Sequence, residues 1–258
     1  PQPSVAPRSN GGNVSHGRQR GFDSARMFVM KTALITGGSR GIGRAIAEAL
    51  GPHHHLLIGG RDPAGVGAVV GALPSAEPFV ADLTDESTLA TAVAGIDSLD
   101  VLVHSAGGSP LGSIAETDPQ VWRDVLEVNL IAPANLTRLL LPALRRARGH
   151  VVFINSGAGF TARAGWGAYA ASKFGLRALA DSLRTEEEGV VKVTSIHPGR
   201  TATDMQRSIR EHEGEPFVPG DFLAPAAVAA TVRLALDSPA NASIDTLTIR
   251  PVGPPRME

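Results

Sequence analysis

From Lys31 onward the chain alternates short apolar runs with longer segments of helical character, and that alternation restricts the folds open to it. The runs are Thr32–Thr36, Leu56–Ile58, Glu77–Val80, Asp100–His104, Val151–Asn155, Val191–Ile196 and Ile244–Arg250. Between them Ile42–Leu50, Pro119–Arg146, Tyr169–Glu188, Asp204–His212 and Ala226–Leu236 read as helices. A strand that is apolar along its whole length buries both faces, which points to a parallel sheet covered by helices on each side. Right-handed crossovers turn such a chain into a doubly wound sheet. The expected fold class is therefore α/β: a single-domain, Rossmann-like sheet of about seven strands.

Length and composition agree with this. A chain of 258 residues fits one large α/β domain, and 43% hydrophobic against 19% charged residues can build a sizeable core. The formal net charge of −1 gives no general affinity for nucleic acid. The absence of cysteine excludes disulfides, thiol catalysis and cysteine-based metal sites. No apolar run reaches the ~18 residues of a membrane span. A cytoplasmic protein without a membrane or nucleic-acid partner is expected. Residues 1–29 are rich in Pro, Gly, Ser, Asn and Arg and read as a flexible extension, leaving 30–258 as the folded, dinucleotide-binding catalytic domain.

The first strand runs directly into Thr36-Gly37-Gly38-Ser39-Arg40-Gly41-Ile42-Gly43. Glycines let a backbone turn sharply and approach a pyrophosphate, and the helix that follows offers free N–H groups at its positive end. Position between first strand and first helix makes this a phosphate-binding turn rather than a plain one. An NAD-specific site would carry an acid at the end of the second strand. Here Gly60 stands at that point, followed by Arg61, and Arg40 lies within the glycine turn. Two guanidiniums beside a 2′-phosphate favour NADP(H) over NAD(H). Two solvated surface arginines are the plainer alternative, and Asp62 is free to turn towards a ribose hydroxyl.

Tyr169, the only tyrosine, stands four residues before Lys173, with Ser156 thirteen residues upstream. Residues i and i+4 share one helix face. A lysine ammonium there favours the phenolate and is expected to lower the tyrosine pKa, making an acid/base for carbonyl–alcohol interconversion.

These segments together resemble the classical short-chain dehydrogenase/reductase family over about Met30 to Arg250. Its TGxxxGxG turn matches Thr36 to Gly43, so Gly37, Ser39, Arg40, Gly41, Ile42 and Gly43 are expected to contact the cofactor. Its adenine-holding acid matches Asp82, beside Leu83. Its Asn-Asn-Ala-Gly appears as His104-Ser105-Ala106-Gly107, with both asparagines replaced. Its helix asparagine matches Asn129, its serine Ser156, and its Tyr-x-x-x-Lys Tyr169 and Lys173. Its Pro-Gly is Pro198-Gly199, and the threonine that follows is Thr201 or Thr203. The C-terminal Leu247-Thr248-Ile249-Arg250-Pro251 lacks the Asp-Gly-Gly end of 3-oxoacyl reductases in the family.

The resemblance implies a mechanism. Tyr169 donates the proton to the developing alkoxide and Ser156 stabilises its charge. Lys173 tunes Tyr169 and binds the nicotinamide ribose, and Asn129 holds a water leading to solvent. It implies dimers or tetramers formed through Pro119–Arg146 and Tyr169–Glu188. Substrate recognition is expected from Gly107–Thr117, Gly157–Gly167 and a loop at about 200–224, with a small or mid-sized apolar ketone as substrate. The leading reading is an NADP(H)-dependent oxidoreductase acting on a carbonyl and a secondary alcohol. The rivals are an NAD(H)-dependent dehydrogenase and a non-catalytic nucleotide-binding regulator. No metal is expected: His53-His54-His55 reads as a loop whose imidazoles point apart, and His197 reads as structural.

Overall fold

The computed structural model describes residues 30–253; the predicted N-terminal extension lies outside them. Seven parallel strands form one sheet in the order β3-β2-β1-β4-β5-β6-β7. They are β1 (Lys31–Ile35), β2 (His54–Gly60), β3 (Ala76–Val80), β4 (Val101–His104), β5 (His150–Ile154), β6 (Lys192–Pro198) and β7 (Thr246–Ile249). The chain starts in the middle, winds out to β3, then returns to place β4 against β1. The crevice for a ligand in such a sheet lies at that reversal, outside the carboxyl ends of the strands.

The strands are apolar along their length because each faces two cores. Ala33 and Ile35 of β1, Val101 and Val103 of β4, and Val152 and Ile154 of β5 face α1 (Gly41–Leu50), α2 (Pro63–Val70) and α8 (Pro225–Leu236). Leu34, Leu102, Val151 and Phe153 face the other way, against α3 (Glu86–Val93), α5 (Ala132–Ala147) and α6 (Gly167–Glu186). Among the described residues no helix is long and apolar enough to cross a membrane.

Several boundaries differ from expectation. Helices α2 and α3 were not anticipated; each opens on an aspartate, Asp62 and Asp85, whose carboxylate accepts two main-chain N–H groups of the first turn. The long helical region is three pieces: α4 (Pro119–Leu126), a π-turn at Glu127–Ile131, and α5. His54 and His55 belong to β2 rather than to a loop, bonding the Leu50 carbonyl and the Ser75 hydroxyl respectively. Pro78 is accommodated because β3 is an edge strand, where a missing ladder donor is tolerated.

Candidate active site

Thr36, at the carboxyl end of β1, joins the two strands that flank the reversal. Its hydroxyl donates to the Val103 carbonyl at 3.3 Å and accepts from the N–H groups of Ser105 and Ala106 at 3.0 and 3.2 Å. The loop after β4 is thereby drawn across the glycine turn. A Cβ on Gly37 would lie 2.9 Å from both N and Cα of Ala106, and one on Gly43 only 2.2 Å from the Gly37 carbonyl oxygen. Gly37 and Gly41 also adopt φ of +64° and +55°, which an L side chain rarely adopts. The turn is therefore glycine by necessity.

Helix α1 opens from this turn with Arg40 at its N-cap, no capping side chain and no acid in its first turn. Its first N–H groups and its positive end are left for an anion. Glycine cradle, open helix terminus and absent capping acid together fit the pyrophosphate of a dinucleotide. Ser39 lies between the turn and the start of α2, 3.6 Å from where a Gly60 Cβ would be, and Ile42 packs on the first core.

At the adenosine end Arg40 and Arg61 are exposed and have no ion-pair or side-chain hydrogen-bond partner among the described residues. A Cβ on Gly60 would come within 2.7 Å of the Val66 side chain, so the position that carries an acid in NAD sites has little room for one. Asp62 does not face a ribose: its oxygens accept from Ala64 and Gly65 N–H at 3.1 and 3.0 Å and cap α2. Asp82, after β3, is held below its ordinary pKa chiefly by the N–H and hydroxyl of Thr84. Leu83 beside it packs on the second core.

Asn129 sits within the π-turn, buried to 1% exposure. Its amide nitrogen donates to the Gly108 carbonyl at 2.8 Å and the Ser172 hydroxyl at 2.9 Å, and its oxygen accepts from Gly108 N–H at 2.9 Å. Both amide hydrogens are used within the protein, so the side chain clamps the β4 loop to α6, and the second lone pair of its oxygen is what it has left for the expected water. Gly107 permits this approach, since a Cβ there would stand 2.9 Å from the Asn129 oxygen and 3.9 Å from the Lys173 Nζ. Ser172, which donates to the Tyr169 carbonyl at 2.7 Å, was missed; its place between Tyr169 and Lys173 was the available signal.

Tyr169 and Lys173 lie in the first two turns of α6, buried on one face, with the ammonium 5.9 Å from the ring centre. Lys173 donates to the Ile154 carbonyl at 3.1 Å, the one hydrogen bond of its ammonium among the described residues. Burial pushes its pKa down to about 8. Burial raises the Tyr169 phenol, and Ser156 opposes that rise. The expected lowering by Lys173 does not arise: desolvation disfavours the phenolate, and the group that opposes it is the Ser156 hydroxyl. Ser156 caps the short turn Gly157–Gly159, accepting from Ala158 N–H at 3.1 Å, which leaves its own hydroxyl proton to donate.

Beyond β6, Thr201 donates its hydroxyl to the Gly199 carbonyl at 3.0 Å. Thr203 caps α7 (Asp204–Glu213), and its methyl lies 3.4 Å from where a Gly41 Cβ would be. Of the two threonines, Thr203 is the one brought against the glycine turn, while Pro198 and Gly199 close β6 beside Ile249. The Trp166 ring meets Tyr169 edge-on at 5.8 Å, and the Arg200 guanidinium lies 6.0 Å from the Trp166 ring centre. Arg200 and Arg210 both bind Glu213. His104 points away from this cluster. It is buried, stacks on Phe153 at 4.9 Å and bonds the Thr137 hydroxyl at 2.9 Å, with its pKa pushed down to about 3 by burial.

Comparison with known proteins agrees with this geometry. The sequence model of the short chain dehydrogenase family matches residues 31–214. An uncharacterized oxidoreductase of Saccharomyces cerevisiae is 33% identical over 203 residues, covering 71% of this chain and 76% of its own. An alcohol dehydrogenase of Thermococcus sibiricus, solved with 5-hydroxy-NADP, superposes with a TM-score of 0.80 at 25% identity, covering 89% of this chain and all of its own. Actinorhodin polyketide ketoreductase with NADPH gives 0.78 at 27%, covering 86% and 96%. A parallel sheet reversed at β1 and β4, with a glycine cradle at that reversal and a buried tyrosine–lysine pair beside it, belongs to an oxidoreductase that works with a nicotinamide dinucleotide, and the chain is a member of the short-chain dehydrogenase/reductase family.

Proposed function

We propose that this protein interconverts a carbonyl and a secondary alcohol by hydride transfer, with NADP(H) preferred and Tyr169 as acid/base. The observation that carries the reading is the buried pair Tyr169 and Lys173 beside the half-buried Ser156, which follows the carboxyl end of β5. The dinucleotide, when bound, supplies or accepts the hydride. In the reductive direction the raised phenol is protonated at neutral pH and donates its proton to the developing alkoxide. Ser156, with its own proton free, hydrogen-bonds the same oxygen as charge builds on it. Lys173, charged below about pH 8, directs its remaining N–H groups towards the site and holds the ribose. Asn129 keeps the Gly107–Gly108 loop and α6 in register. The roles of Asp82, Leu83, Ser105, Ala106 and Gly107 on the adenosine and ribose, and of Pro198, Gly199 and Thr203 on the nicotinamide, follow from where the strands end.

The NADP(H) preference rests on the unpartnered Arg40 and Arg61, the crowded Gly60 and the capping role of Asp62. A small or mid-sized apolar ketone suits the Trp166 ring that meets Tyr169 edge-on and the apolar Met205, Phe217 and Phe222 in the segment that follows β6. Ile131 and Phe174, 47% and 36% exposed, lie in the two helical stretches through which we infer a homodimer or homotetramer in the cytoplasm.

The test is NADPH oxidation across a panel of ketones by the wild type and Tyr169→Phe. Turnover by the wild type alone is expected. Equal rates would end the proposed role of Tyr169, and cofactor binding without turnover on any ketone would favour a regulatory nucleotide-binding protein.

A further inference from the structure

We propose that His197 is a positioning residue for Ser156, fixing the backbone that aims the serine hydroxyl and tying the start of the substrate loop to it. The inference rests on the reading of Ser156 as catalytic. His197 lies in β6, fully buried. Its Nδ1 is 2.9 Å from the Ser156 carbonyl oxygen and its Nε2 is 3.0 Å from the Ser195 hydroxyl. A carbonyl only accepts, so Nδ1 carries the proton, Nε2 keeps its lone pair, and the Ser195 hydroxyl donates to it. Both ends of one tautomer are therefore specified.

The consequence falls on Ser156. Its carbonyl takes a second donor, Gly159 N–H at 3.0 Å, and its own N–H donates to the Asn155 side chain at 2.9 Å. Three bonds hold the two peptide groups either side of one Cα, whose φ of −164° and ψ of 160° set where Cβ and the hydroxyl point. The imidazole is the one side chain of the three donors and acceptors that arrives from another strand. It also stacks on Phe160 at a centroid distance of 4.1 Å, so the loop that follows Ser156 is packed on the same ring. An apolar residue at 197 would fill the space and leave the bond to Ser156 unmade.

The charges that face the ring come from α6: Arg177 and Lys173 favour its neutral form, and Asp181 opposes them. A second proton would have to go on Nε2, displacing the Ser195 bond beside two cations.

The experiment uses the full chain with NADPH and the ketone giving the fastest turnover. His197→Phe keeps a ring against Phe160 and removes the donor; kcat is expected to fall about tenfold or more, since sub-ångström misplacement of a catalytic group costs rate steeply, while NADPH affinity is unchanged. His197→Asn offers an amide N–H near the Nδ1 position and is expected to restore most of kcat. That rescue is a readout simple packing would not give, because Asn fills the space less well than Phe. Should His197→Phe fail to fold, Ser195→Ala serves: it removes the partner that keeps Nε2 unprotonated, lets the Nε2–H tautomer compete, and is expected to lower kcat several-fold with NADPH affinity unchanged. An unchanged kcat in His197→Phe or in Ser195→Ala, or equal damage in the Phe and Asn variants, overturns the proposal. Nitrogen chemical shifts of His197 give a readout without turnover: an Nε2–H tautomer at neutral pH also overturns it. Failure of the functional reading is seen separately, as Tyr169→Phe turning over like the wild type.

Discussion

Lys173 donates to the main-chain carbonyl of Ile154 at 3.1 Å, and this bond to the end of β5 holds its ammonium 5.9 Å from the centre of the Tyr169 ring. The carbonyl belongs to the residue two before Ser156, so one strand end orients both the lysine and the serine. A buried ammonium with a single protein acceptor is under-solvated, which is why burial brings its pKa from 10.5 down to about 8.

That depression has a pH signature. The folded protein releases the Lys173 proton near pH 8 and the unfolded chain near 10.5. Between those values the unfolded chain binds more protons, so this group makes stability rise with pH across that window. Its destabilising effect is complete below about pH 8 and gone above 10.5. Denaturant unfolding of the cofactor-free protein at pH 7.5 and 9.5 should show the wild type gaining stability relative to Lys173→Met. NADPH binding should move the opposite way, weakening as pH rises through about 8 in the wild type and not in the variant.

The adenosine corner gives a selectivity prediction. Arg61→Ala removes an exposed guanidinium that feels the Asp82 charge but forms no ion pair among the described residues, and NADPH affinity should fall about tenfold or more, the size of one lost charge-assisted hydrogen bond. NADH affinity should hardly change. Asp62→Ala tests the alternative role of its neighbour. Because the carboxylate caps α2, the variant should lose about 1 kcal/mol of stability and keep the same NADPH to NADH ratio. A shift in that ratio would place Asp62 on the ribose.

Gly43→Ala should separate cofactor binding from folding. The added Cβ would sit 2.2 Å from the Gly37 carbonyl oxygen, and backbone on both sides has to move. Overpacking of this kind costs roughly 1–3 kcal/mol. The sheet is held by cores away from the turn, so the variant should fold with a lowered Tm and bind neither NADPH nor NADH detectably in a fluorescence titration.

The parallel sheet covered on both faces was legible because its strands are apolar on both sides, as Leu34 faces one core and Ala33 and Ile35 the other. The glycine turn and the shared helix face of Tyr169 and Lys173 were legible because both follow from residue spacing along the chain. Helices α2 and α3 escaped because both are short, α2 is rich in glycine and lacks a polar face, α3 opens on polar residues, and the start signal of each is a single capping aspartate, which reads equally well as a loop residue. The π-turn escaped because one extra residue in a helix leaves the apolar pattern of Leu126, Leu130 and Leu136 nearly intact. The direction of the Tyr169 pKa was misjudged for a different reason. Spacing reveals a neighbouring charge but not how much water the fold removes from both groups. The Asn129 role turned on a partner 21 residues away, Gly108, which no local pattern exposes.

The loop over the site should respond to the Glu213 carboxylate. Arg200, next to the end of β6, and Arg210, within α7, both bind Glu213, and they hold its pKa below the ordinary carboxylate value. The carboxylate is about a quarter exposed, so solvent screens the pair and its worth is modest. Glu213→Gln keeps the shape and one acceptor but removes the charge that binds both guanidiniums. The end of α7 should loosen without unfolding the domain. Trypsin cleavage after Arg207 and Arg210 should become several-fold faster, and KM for the ketone should rise about fivefold, equivalent to about 1 kcal/mol, with kcat reduced less. The lowered pKa fixes the matching pH effect: the contact is complete above the unfolded value of 4.5 and is lost as pH falls through the folded one. Acidification should therefore speed cleavage of the wild type towards the rate of Glu213→Gln, and a wild-type rate that stays flat would show that α7 is held by other contacts.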